Sequence, residues 1–89
     1  MAFVIEKTEK LSITTTAKDV NVGFRSFLLK NADESKALYF KEKDNVAVTV
    51  DNGFMLGPGE MIPVPVSAKT LSIKGEASLN AYIMYGREE

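Results

Sequence analysis

Along most of the chain, apolar and polar residues alternate. In Lys10-Leu-Ser-Ile-Thr-Thr-Thr16 the side chains of Leu11 and Ile13 alternate with Ser12 and Thr14, which is the two-residue period of a pleated strand with one buried face. The threonine run favours the same conformation. Parity then shifts, because Val20, Val22 and Phe24 fall on even positions, and this predicts a turn or bulge at Lys18-Asp19. Phe24-Arg-Ser-Phe-Leu-Leu-Lys30 reads as a buried strand ending at Asn31, and Asn31-Ala-Asp-Glu-Ser35 as a polar turn. Ala37-Leu-Tyr-Phe40 reads as the returning strand of a hairpin. The stretch from Asn31 to Glu42 is also the strongest helical candidate, with a capping Asn31 or Asp33, but the strand reading of Leu38 to Phe40 is preferred.

Further strands are predicted at Val46–Val50, where Val46, Val48 and Val50 share a face, and at Met61–Val66, Thr70–Lys74 and Leu79–Tyr85. Pro63 and Pro65 lack their N–H groups on the same side, which places their strand at a sheet edge. About seven or eight short strands at intervals of about 8–12 residues, with a turn signal in every gap, predict an all-β fold. The expected architecture is a compact antiparallel β-sandwich or jelly-roll-like barrel. A chain of 89 residues forms one domain, residues 1–89, with a single modest core.

The stretch Asp51-Asn-Gly-Phe-Met-Leu-Gly-Pro-Gly-Glu60 is glycine-rich and invites a ligand-binding reading. A phosphate cradle needs successive backbone donors and a lysine, whereas here Pro58 removes a donor and Glu60 adds a negative charge. A dinucleotide fingerprint fails on the spacing of Gly53, Gly57 and Gly59, with no amphipathic helix after them. Asn52-Gly53 and Pro58-Gly59 are instead turn pairs, with Gly53 and Gly59 expected at positive φ and Pro58-Gly59 as the central residues of a type II turn. Between them, Phe54-Met55-Leu56 either plugs one end of the core or projects as a contact.

Composition narrows the chemistry. Lys plus Arg total 11 against 12 Asp plus Glu, so no basic field marks nucleic acid or an anionic membrane as a partner. The sequence holds neither cysteine nor histidine, which removes disulfides, thiolate metal sites, thiol nucleophiles and the commonest general base. The carboxylates around Glu42, Asp44 and Asp51 are interleaved with Lys41 and Lys43 and lack calcium-loop spacing. No catalytic, cofactor or metal site is expected, and no enzyme activity. No segment has the ~20 apolar residues of a membrane span, and Met1-Ala-Phe-Val-Ile-Glu-Lys7 lacks the basic start and apolar run of a secretory signal. The expectation is a soluble, cytoplasmically made chain with nothing cleaved off.

The terminal segments depart from simple alternation. Ala81-Tyr-Ile-Met-Tyr85 and Phe3-Val-Ile5 are apolar on both faces of a strand. Such runs need cover on two sides, so they are expected either to pair with each other or to be buried against a neighbouring subunit. The candidate contact residues are Phe3, Val4, Ile5, Tyr82, Ile83, Met84 and Tyr85, with Phe54 and Met55 in the glycine-rich loop.

The order of these pieces resembles a group of small tailed-bacteriophage virion structural proteins. "LSITTTAKDVNV" is similar to their Thr/Ser-rich first strand, "FRSFLLKN" to an apolar strand ending in Asn, and "ALYFKE" to an aromatic strand. "VAVTVDNGFMLGPGE" and "LSIKGEASLNAYIMYG" complete the match, which covers Leu11 to Gly86. The Phe3–Ile5 extension and the double-proline strand depart from the group's pattern. The resemblance implies a non-enzymatic virion component, preferably a head decoration or cement protein. It would bind protein, either itself as a homo-oligomer or the major capsid or tail protein. A tail or head–tail connector subunit is the close alternative. A small carbohydrate-binding β-sandwich is a weaker one, because the chain has no Trp and Tyr39, Tyr82 and Tyr85 lie within apolar runs.

Overall fold

The computed structural model describes residues 3–23, 26–43, 46–64 and 69–88, with backbone alone at Phe3, Arg87 and Glu88. Eight strands form: β1 (Phe3–Ile13), β2 (Lys18–Asn21), β3 (Phe27–Asn31), β4 (Leu38–Glu42), β5 (Phe54–Leu56), β6 (Met61–Val64), β7 (Thr70–Gly75) and β8 (Leu79–Glu88). They make two four-stranded sheets in the orders β1-β8-β3-β6 and β2-β7-β4-β5, with every pairing antiparallel. The pairs β1·β8, β2·β7, β3·β6 and β4·β5 are those of one long hairpin rolled over on itself, which is the eight-stranded jelly-roll arrangement. Among the described residues there is no helix, so the Asn31–Glu42 segment resolves as turn and strand.

The core lies between the sheets. Leu11, Ile13, Phe27, Leu29, Leu79, Ala81, Ile83 and Tyr85 point inward from one sheet, and Val20, Leu38, Phe40, Leu56, Leu71 and Ile73 from the other. These are alternate residues on each strand, as the pleat requires. The accessible surface is 5200 Å², close to the roughly 5,200 Å² expected for a compact monomer of this mass. One copy therefore closes a core without help.

Several boundaries differ from the sequence reading. The first strand begins at Phe3 and ends at Ile13, and the chain turns at 14–17, where the Thr16 N–H donates to Thr14 Oγ1. The parity change before Val20 is therefore a crossing into the second sheet that ends before Lys18-Asp19. β3 and β4 do not form a hairpin. They lie in opposite sheets, because the 32–37 connection turns through the sandwich instead of along one sheet. Val46–Val50 is no strand: Val48 is buried while Val46 and Val50 are exposed. Its backbone donors go to side chains, with the Val48 N–H to Ser72 Oγ and the Thr49 N–H to Asn52 Oδ1. Pro63 does lie on an edge strand, opposite Leu28. Phe24, Asp44, Asn45 and Pro65 fall outside the described residues.

The two turn glycines also separate. Gly59 has φ +74°, and the Glu60 N–H donates to the Gly57 carbonyl at 3.1 Å, so Gly57-Pro-Gly-Glu60 is the type II turn predicted. Gly53 does turn the chain, donating its N–H to the Thr49 carbonyl, but not at positive φ. Its requirement is steric: a Cβ there would stand 2.5 Å from Val48 Cγ2 and 3.2 Å from the Thr49 carbonyl oxygen. Asn52 holds the same turn by accepting from Thr49 N–H and donating to the Ala47 carbonyl.

Asn31 ties the two sheets together at one corner. Its side chain is fully buried; Nδ2 donates to the Lys36 and Leu56 carbonyls at 2.7 and 3.0 Å, and Oδ1 accepts from the Asp33 N–H. Its backbone takes the Gly59 N–H and gives its own N–H to the Glu60 carbonyl. A buried amide with every bond made fixes the register of β3 against the 57–60 turn.

Candidate interaction surface

The terminal strands pair with each other, in the register Leu11↔Ala81, Lys10↔Tyr82 and Thr8↔Met84. Pairing gives each run one covered edge, and the core gives β8 one covered face. Its other face is the outer face of the β1-β8-β3-β6 sheet. There the cross-strand register sets out two rows, Lys10, Tyr82, Lys30, Met61 and Thr8, Met84, Leu28, Pro63.

A bulge at Glu6 extends this face. The β1 register shifts between Ile5 and Lys7, so that Ile5 pairs with Gly86. Without the extra residue Ile5 would share the inward parity of Lys7, Glu9 and Leu11; with it, Ile5 turns to the same side as Met84. Ile5 is 49% exposed and Met61 51% exposed, while Tyr82, Met84 and Leu28 are half-buried among their strand neighbours. Four strands at ~4.8 Å and rows about 7 Å apart give this face a footprint on the order of 300 Å², part of it apolar. The two rows hold Lys10 and Lys30 and no carboxylate, so the patch is apolar with a basic upper margin.

The candidate residues thus fall into separate groups. Ile5, Tyr82 and Met84 share the bare outer face. Ile83 and Tyr85 are core residues, with 0% and 3% exposure and Tyr85 set edge-on to Phe27 at 6.2 Å, so neither reaches the outer face as the sequence reading expected. Val4 lies on the opposite parity, half-buried, and Phe3 is described by its backbone pairing with Glu88. Phe54 and Met55 belong to β5, in the other sheet. Leu56 plugs the core while Phe54 and Met55 project, 73% and 64% exposed.

Leu28, Met61 and Pro63 complete the patch and were missed in the sequence. Phe27-Leu28-Leu29 carries the same two-faced apolar signal as Tyr82 to Tyr85 and could have pointed to Leu28. Nothing local marks Met61 or Pro63, whose place depends on which strand β6 pairs with.

A shallow groove of about 400 Å³ borders the patch, lined by Lys30, Asn31, Asp33, Glu34, Pro58 and Tyr82 among others. Two of its polar side chains are committed, Asn31 as described and Asp33, whose Oδ2 accepts from the Ser35 and Lys36 N–H groups, which hold the Asp33 carboxyl below the usual carboxylate range. Among the described residues no cluster of carboxylates could hold a metal. Compared with protein-family models, curated proteins and solved structures, the chain matches none.

Proposed function

We propose that the chain is a non-enzymatic structural component of a tailed-phage virion, a capsid decoration protein that docks through the outer face of its β1-β8-β3-β6 sheet. The observation that carries this reading is the bare apolar face itself: Ile5, Leu28, Met61 and Met84 stand on one face of a four-stranded sheet with no part of the described chain over them. The sequence resemblance from Leu11 to Gly86 supports the virion role, and an eight-stranded jelly roll is an architecture that viral capsid proteins use, which is support by analogy of fold. The partner surface that fits is apolar, with carboxylates placed to meet Lys10 and Lys30.

Flanking capsid or portal genes are expected around the coding sequence, and flanking metabolic genes would overturn the virion assignment. The docking surface is tested by sedimentation with capsids assembled from the neighbouring major capsid gene. Wild-type chain is expected to co-sediment, and Met84→Asp and Tyr82→Asp to stay in the supernatant while folded by circular dichroism. Equal binding by these variants would remove the face as the interface. Flanking tail genes would move the same surface to a tail or head–tail connector role.

A carbohydrate-binding role is the second reading, and the groove beside Tyr82 is what favours it. Its test is nuclear magnetic resonance titration with simple oligosaccharides, where shifts confined to Lys30, Glu34 and Tyr82 would support it.

A further inference from the structure

The four sheet edges are not protected alike. An open edge strand offers unpaired N–H and C=O groups to any other strand, and proteins blunt it with proline, charge or a bulge. β6 carries Pro63. β2 reads Lys18-Asp-Val-Asn21 with both charges exposed. β1 has the bulge at Glu6 and, beside it, the Lys7–Glu9 ion pair at 2.9 Å. β5 has none of these. It is Phe54-Met-Leu56, pairs with β4 on one side, and presents Phe54 and Met55, the two most exposed large apolar side chains in the described chain.

We infer that β5 is a self-association edge, at which a second copy of this chain pairs antiparallel with the first and makes one continuous eight-stranded sheet from two β2-β7-β4-β5 sheets. Two observations select a second copy as the occupant, and a third sets how tightly it is held. The first is register. Leu56 and Phe54 share the inward parity of Leu38 and Phe40, with the Phe40 and Phe54 rings 6.0 Å apart and Phe54 left exposed beyond the core, while Met55 has the outward parity. Antiparallel pairing keeps paired residues on one face, so a two-fold axis at Met55 sets Phe54 against Leu56 of the other copy and gives the exposed Phe54 side chain an apolar neighbour. The edge is thus complementary to itself.

The second observation is charge. From Val46 to Gly59 the sequence holds a single charged residue, Asp51, so two copies can approach edge to edge with little repulsion. The third is area. A Phe and a Met at these exposures, with the adjoining backbone, give on the order of 600 Å² buried in total, below the ~1,000 Å² of a stable interface. A weak, concentration-dependent dimer follows. The β5 edge and the bare sheet face are separate surfaces, so this association does not rest on what the face docks against.

The test uses the chain's lack of cysteine. In a paired β5 edge the two Met55 Cα atoms would lie about 4.5–5.5 Å apart, within disulfide reach. Met55→Cys at 50 μM with glutathione disulfide is expected to form a covalent dimer at least tenfold faster than Lys18→Cys on the β2 edge. Equal rates would overturn the inference. In parallel, light scattering is expected to show wild-type mass rising toward the dimer between 10 μM and 1 mM, and Phe54→Lys, folded by circular dichroism, to remain monomeric. A wild-type chain that is strictly monomeric at 1 mM, or a dimer unaffected by Phe54→Lys, would equally overturn it.

Discussion

The outer faces of the two sheets are finished differently. On the β2-β7-β4-β5 sheet, residues 46–53 fold back across the outward side chains: Val48 is buried at 2% exposure, its N–H meets Ser72 Oγ, and Lys41 Nζ reaches the Val46 carbonyl. On the β1-β8-β3-β6 sheet nothing in the described chain plays that part, although Met84 and Leu28 are as apolar as Val48. A covered face is a folding device, whereas an equally apolar bare face is available for binding. Burial within one copy thus tells which apolar residues serve stability.

That contrast can be broken most directly by putting the same charge on each face. Val48→Asp is expected to destabilise the fold by about 3 kcal/mol, since it removes a buried apolar side chain and puts a carboxylate under the loop. Met84→Asp should cost ~1 kcal/mol, within the range of strand preferences on a half-buried surface, while abolishing the proposed docking. Urea denaturation of both variants checks this, and equal costs would mean that the bare face also serves folding.

The cover itself can be pried open at Gly53. Gly53→Val is expected to cost about 2 kcal/mol, because the new side chain must displace Val48 and the Thr49 carbonyl. Gly59→Val meets no atom within 4 Å and is expected to cost about 1–2 kcal/mol through its left-handed backbone alone. Hydrogen exchange distinguishes the mechanisms: Gly53→Val should deprotect the Val48 amide and Gly59→Val should not. Next in size, Ser72→Ala leaves the Val48 N–H without its acceptor, at about 1 kcal/mol, with the bare face unaffected.

How much of this was readable in the sequence follows from the range of each signal. Alternation at Leu11 and Ile13, at Leu71 and Ile73 and at Leu79 to Tyr85 is a property of neighbouring residues, so these strands and the all-β class could be read directly. The Pro58-Gly59 turn was legible for the same reason. Which sheet a strand joins is not local: β3 and β4 look like a hairpin in sequence, and their separation depends on Asn31 holding the 57–60 turn, a contact with Leu56 across 25 positions. Val46 to Val50 has strand-like spacing but lost that pairing to Ser72 and Asn52 side chains. A strand apolar on both faces must put one parity outside, and here that is Tyr82 and Met84; sequence alone does not say which parity faces the core, so Ile83 and Tyr85 are not separable from them there.

The smallest effect is expected at the link between the two sheets, where Asp33 caps the turn from β3 into β4. Its carboxylate accepts from the Ser35 and Lys36 N–H groups at 2.9 and 2.7 Å. These backbone hydrogen bonds, first that from Ser35, lower its pKa from the ordinary 3.8. A group whose pKa is lower folded than unfolded binds its proton more readily in the unfolded chain. It therefore stabilises the fold above the unfolded value, and that contribution fades as pH falls from about 4 through the folded pKa. Asp33 faces solvent, so the effect should be slight, well below that of Val48→Asp. Asp33→Asn keeps an oxygen for the two N–H groups but cannot titrate. Thermal unfolding between pH 5 and pH 2 should therefore show a slightly shallower loss of stability for Asp33→Asn than for wild type, with similar midpoints at the acid end. Parallel curves across the whole range would mean that the cap is already open in solution, and that the turn joining the covered sheet to the bare one is held by Asn31 without help from Asp33.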